Sequence, residues 1–108
     1  MRVKAKVEPG ICGFEAVVAA DAEDFTGNAV VELRTECPNL KKLGDRFEVG
    51  VMEIIKSGCA SESFKAMAQA MPAMHCPCAV MNAVFGAVKI AAGLALPKDI
   101  HITFVKEG

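Results

Sequence analysis

Between Cys78 and Leu96 the chain is apolar on nearly every helical face, and such a segment has to be covered on most sides. Val80, Val84 and Val88 recur at intervals of four beside Phe85, with Ala83, Ala87 and Ala91 on an adjoining line. Small residues at that spacing let a neighbouring element approach closely. Asn82, Gly86, Lys89 and Gly93 interrupt the run, which is marginal for the ~20 apolar residues of a membrane span. The stretch therefore predicts a buried helix over Pro77–Leu96, ended by Pro97, and no membrane association. Its cover must be a sheet with neighbouring helices or a second copy of the chain, so a homodimer is among the expected partners.

The sheet comes from the first third of the sequence. In Arg2–Glu8, Val3, Ala5 and Val7 alternate with Arg2, Lys4, Lys6 and Glu8, the period of a strand with one wet face. Pro9-Gly10 turns the chain. A second strand, Phe14–Asp21, places Phe14, Ala16, Val18 and Ala20 on one side, and a third, Ala29–Glu36, is rich in Val30, Val31 and Leu33. Short polar links between them predict an antiparallel meander.

After Cys37 the period becomes helical. Pro38 suits a first helical position, and Leu40, Leu43 and Phe47 follow at helical spacing, with Gly44 and Gly50 keeping the element short. Met52, Ile54 and Ile55 predict another short helix ending at Ser57-Gly58. Ser61–Met71 reads as a further helix with Phe64, Met67, Ala68 and Met71 inward. Beyond Pro97, Ile100, Ile102 and Phe104 alternate with His101 and Thr103, which predicts a last strand over Asp99–Val105 that joins the sheet. The expected fold is α+β in a single domain spanning 1–108: a three-stranded meander plus a C-terminal strand, with helices packed on one face.

Twelve basic residues against thirteen acidic ones, a net charge of −1, argue against a nucleic-acid partner. The alternating N-terminus has no apolar core of a secretory signal, so the expected location is cytoplasmic. There thiols stay reduced, and the five cysteines, an odd number, do not read as a disulfide framework.

Those five, Cys12, Cys37, Cys59, Cys76 and Cys78, all have Gly or Pro beside them, at predicted loops and element boundaries rather than mid-core. A packed, inert thiol is the default for any one of them. Their common placement points instead to convergent thiolates. Cys76-Pro77-Cys78 offers two sulfurs from one stiff loop ahead of a helix N-terminus, where the dipole favours negative charge. In a meander, the first turn, with Cys12, and the end of the third strand, with Cys37, lie at the same end of the sheet. If the helix after Pro77 starts at that end, Cys76 and Cys78 complete a four-thiolate set with His75 as a substitute ligand and Cys59 as an additional one. Such a set suits zinc or an iron–sulfur cluster. Met67, Met71, Met74 and Met81 lie near the loop and could shield a soft metal, though methionine ordinarily fills cores. Lys89 is ~16 Å along the helix from Cys78 and reads as a snorkelling side chain. His101 reads as the wet face of a strand. No Ser-His-Asp set, phosphate-binding glycine loop or carboxylate pair stands out.

The order of Pro9-Gly10-Ile11-Cys12-Gly13, two strands, Cys37 opening a helical region and His75-Cys76 before a helix resembles the U-type scaffold of iron–sulfur cluster assembly. That resemblance implies Cys12, Cys37, His75 and Cys76 as the site for zinc or a nascent cluster. Phe14 stands where that family has Asp, Pro38 replaces a Gly, Cys59 and Cys78 are additional, and the final strand is not part of the scaffold pattern. Over almost the whole length, Glu8–Phe14, Cys37–Leu43 and Ala91–Asp99 look like a family of small, functionally uncharacterised proteins of anaerobic archaea and bacteria, which implies a fold relationship and no activity. The expected function is a metal- or cluster-binding carrier or scaffold, with cluster- or sulfur-transfer proteins as partners. The alternatives are a thiol redox or sulfur-transfer enzyme using Cys76 and Cys78, and an interaction protein with inert cysteines.

Overall fold

Alternating apolar and charged residues set β1 at Arg2–Val7, and the two runs that follow set β2 at Ala16–Asp21 and β3 at Asn28–Thr35. The computed structural model describes residues 1–108. The three strands form the expected antiparallel meander, with Ala5 opposite Val18 and Val18 opposite Leu33. A fourth strand, β4 at Arg46–Gly50, extends it to the order β1-β2-β3-β4.

That fourth strand falls where helical spacing was expected to carry Phe47. Leu40–Leu43 make only one 3-10 turn, and Gly44 at φ 83° takes the left-handed conformation that turns the chain back to the sheet. Phe47 and Val49 then lie opposite Val31 and Ala29, on the core face. Arg46 and Glu48 take the wet face, where Glu32 contacts both Arg2 at 3.4 Å and Arg46 at 3.7 Å. Exposed pairs of this kind contribute about 0–1 kcal/mol each.

The C-terminal strand does not form: beyond Ala95 no residue belongs to a helix or strand, and Ile100, Ile102 and Phe104 are exposed. Their alternation is a property of the sequence, but a strand also needs a neighbour to pair with, and neither edge strand, β1 or β4, pairs with this segment.

Three helices follow β4: α1 at Val51–Ser57, α2 at Glu62–Gln69 and α3 at Ala79–Ala91. Ser61 caps α2, its hydroxyl accepting the Phe64 N–H at 3.2 Å. α3 lies across β1 and β2 on the core face. It buries Val80, Met81, Val84, Phe85, Val88 and the alanines Ala87 and Ala91 against the inward rows of the sheet. The chain's own sheet thus covers the most apolar helix, each large side chain contributing about 1.5–3 kcal/mol as an upper bound. α3 stops before Pro97. Gly93, at φ 81°, closes it, with Leu94 N–H donating to the Lys89 carbonyl at 2.8 Å and Gly93 N–H to that of Ile90 at 3.0 Å.

The strand registers define two ends. Val7, Ala16 and Thr35 share one, and Asn28 and Gly50 share the other with the turn before β3. α1 starts at the second end, where Val51 N–H donates to the Gly27 carbonyl at 3.3 Å. Val51 and Ile54 line a shallow apolar groove of about 360 Å³ together with Val88, Lys89 and Leu94. The last turn of α3 therefore sits at the second end. Thirteen helical residues span about 20 Å, the length of a six-residue strand, so the N-terminus of α3 reaches toward the first end.

Candidate functional site

Four of the five cysteines lie on segments at the first end of the sheet or leading toward it. Cys12 projects from the β1–β2 loop, in which Gly10 at φ 69° and Gly13 at φ 73° take left-handed conformations. Ile11 N–H donates to the Pro9 carbonyl at 2.6 Å, a tight turn that leaves Ile11 and Cys12 exposed. Cys37 lies two residues past the end of β3 and is 8% exposed, a member of the hydrophobic core. Its carbonyl accepts the Lys41 N–H at 3.0 Å.

One hydroxyl ties these two arms. Thr35 Oγ1 donates to the Glu15 carbonyl at 2.9 Å and accepts the Cys37 N–H at 3.2 Å. It fastens the return of the Cys12 loop to the segment that carries Cys37. The local half of this bridge is a Thr side chain bonding the N–H two residues on, a pattern readable in Thr35-Glu36-Cys37. The Glu15 half joins residues twenty apart and depends on the β2–β3 pairing.

The other arm enters α3. Ala73–His75 make a 3-10 turn, the Cys76–Pro77 peptide is cis, and Cys78 is the N-cap residue of α3. Cys76 N–H donates to the Ala73 carbonyl at 3.4 Å, and the Cys78 carbonyl accepts the Met81 N–H at 3.0 Å. Both thiols are half-buried and pack against the same core that contains Cys37. His75 is exposed, as is Met74 at 96%, whereas Met67, Met71 and Met81 are buried core residues. Cys59 is exposed on a separate 3-10 turn, Gly58–Ala60, between α1 and α2. Lys89 is exposed at the opposite end of α3.

Sequence reasoning expected four converging thiolates. The cysteines are all free, and no three His, Cys, Asp or Glu side chains gather into a group that could hold a metal ion. Cys12 stands in solvent while Cys37 lies within the core, with Cys76 and Cys78 at its margin.

A family profile was found for nearly the whole chain: the family of unknown function DUF6951 matches residues 3–104. The chain belongs to that family. No curated protein matches the chain, and no solved structure does. The DUF6951 match begins within β1 and runs through the C-terminal segment to Phe104, so it takes in all four cysteine-bearing segments and the exposed Ile100, Ile102 and Phe104.

Proposed function

We propose that this DUF6951 protein is a cytoplasmic carrier or scaffold that binds a soft metal ion or an iron–sulfur unit through the cysteines at the first end of its sheet. The observation that carries this reading is the packing of Cys76 and Cys78 against the core containing Cys37, with the Cys12 loop fastened to the Cys37 segment through Thr35. Thiolates suit zinc or iron–sulfur chemistry in kind, and three or four of them are the usual complement. The arrangement of the free chain is not yet a closed ligand set. Closure falls to the Cys12 loop, which is exposed and carries two left-handed glycines.

Anaerobic purification followed by zinc, iron and acid-labile sulfide analysis tests the reading, together with cobalt(II) titration of the metal-free protein. Stoichiometric cobalt binding with sulfur-to-metal charge-transfer absorption is expected, lost in the Cys76→Ser/Cys78→Ser double variant. A protein that takes up none of these metals and is fully stable without them overturns it.

A second reading, thiol exchange, is favoured by one observation: two thiols suffice for it, and Cys76 and Cys78 are free, partly exposed and one residue apart. One thiolate would attack a substrate disulfide and release a substrate thiolate. The other cysteine would then displace the second substrate sulfur, leaving a Cys76–Cys78 disulfide and a reduced substrate. Alkylation rates across pH separate the two: one cysteine far faster than the rest in metal-free protein supports exchange, and uniform ordinary rates refute it.

A further inference from the structure

The segment after α3 combines four properties that do not belong together in a finished monomer. It alternates like a strand, with Ile100, Ile102 and Phe104 on one side, yet it pairs with nothing. Its large apolar side chains stand in water, from 63% exposure at Ile100 to 80% at Phe104, with Leu96 and Val105 also exposed. It lies within the DUF6951 match, which extends to Phe104. Every residue from Gly93 to Gly108 is exposed, so no part of the segment is buried by its own chain.

The sheet has a complementary defect at β1. This edge strand has no outer neighbour, and its inward residues Val3, Ala5 and Val7 are only half-buried. The corresponding row on β2, Ala16, Val18 and Ala20, is essentially inaccessible. A strand added outside β1 with three inward apolar side chains at period two would complete that row. Ile100, Ile102 and Phe104 supply that number at that spacing.

Charge selects the occupant. The outward row of β1 is Arg2, Lys4 and Lys6, so two β1 edges brought together would set like charges side by side. The outward row of the C-terminal segment is Asp99, His101, Thr103 and Val105, which carries no such penalty and offers one carboxylate.

We infer that residues 99–105 form a strand on the β1 edge of a second copy of this chain, producing a reciprocal, strand-exchanged homodimer. The apolar face of α3 takes no part, since the chain's own sheet covers it.

Sedimentation equilibrium of the full chain, combined with amide hydrogen exchange at low and high protein concentration, tests the inference. The wild type is expected to be a dimer at micromolar concentration, with protection of 100–104 and of β1 rising as concentration rises. Ile102→Asp, at a position 70% exposed, should weaken the dimer at least tenfold while leaving the circular dichroism of the monomer unchanged. A wild type that is monomeric at 100 µM (~0.1 mM, far above the Kd of a standard interface) overturns the inference. So does a dimer indifferent to Ile102→Asp, protection of 100–104 independent of concentration, which means docking on the chain's own sheet, or concentration-dependent protection at β4 with β1 unprotected.

Discussion

Replacing Thr35 with Val removes one oxygen and keeps the shape of the side chain, and it isolates the bridge between the two cysteine arms. Thr35 Oγ1 makes two hydrogen bonds, one to the Glu15 carbonyl at 2.9 Å and one from the Cys37 N–H at 3.2 Å. The first lies in an exposed region, so water replaces the hydroxyl and the net loss is about 0.5–1 kcal/mol. The second is partly buried, and Val leaves that N–H without its acceptor, at about 1–2 kcal/mol. The β propensity of Val is at least that of Thr, so the strand itself is not weakened. A destabilisation of about 1.5–3 kcal/mol follows, read by guanidinium unfolding as a lower midpoint at unchanged slope. Thr35→Ser keeps the hydroxyl and should recover most of it. A loss below ~0.5 kcal/mol in Thr35→Val, the usual scatter of surface substitutions, would show that the bridge does not hold the Cys12 loop to Cys37. Metal binding through Cys12 would then have to be organised by some other contact.

Gly86 within α3 and Gly93 just past its end should respond to alanine with opposite signs. Gly93→Ala meets no atom within 4 Å of the new Cβ but forces alanine to φ 81°, so a loss of about 1–2 kcal/mol is expected. Gly86→Ala also meets none and lies mid-helix at ordinary φ, so a gain of about 0.5–1 kcal/mol is expected. Thermal melts of both variants check the pair, and equal signs would refute the closure assigned to Gly93. Asp24 titrates below its ordinary value of 3.8 because the Thr26 hydroxyl and then the Thr26 N–H donate to its carboxylate at 2.6 and 2.8 Å. A lowered carboxylate pKa stabilises the fold above the unfolded value, and that contribution disappears as pH falls through the lowered folded one. Thr26→Val should raise the Asp24 midpoint toward 3.8 in an NMR titration, and an unmoved midpoint would refute the hydroxyl as its main cause.

The site was legible in part. The meander is enough to put the Cys12 turn and the end of β3 together, because antiparallel neighbours share their ends. That the N-terminus of α3 points the same way is not encoded in any periodicity. It follows from Val51 and Ile54 lining one groove with Val88 and Leu94 at the far end. The degree of convergence was illegible for the same reason: cysteine placement at turns says where a sulfur leaves an element, not whether it enters solvent, as at Cys12, or the core, as at Cys37.

Sequence by itself determined β1 to β3 and the burial of α3, since period-two alternation and an all-round apolar helix each admit one low-energy local answer. It also determined the strand-like character of Ile100, Ile102 and Phe104. Tertiary structure decided whether that character is used. Strand propensity becomes a strand only where an edge supplies hydrogen-bond partners, and Phe47 found one on β3 while the C-terminal segment, exposed throughout, did not. Backbone pairing is a property of two segments at once, so one segment's pattern cannot fix it.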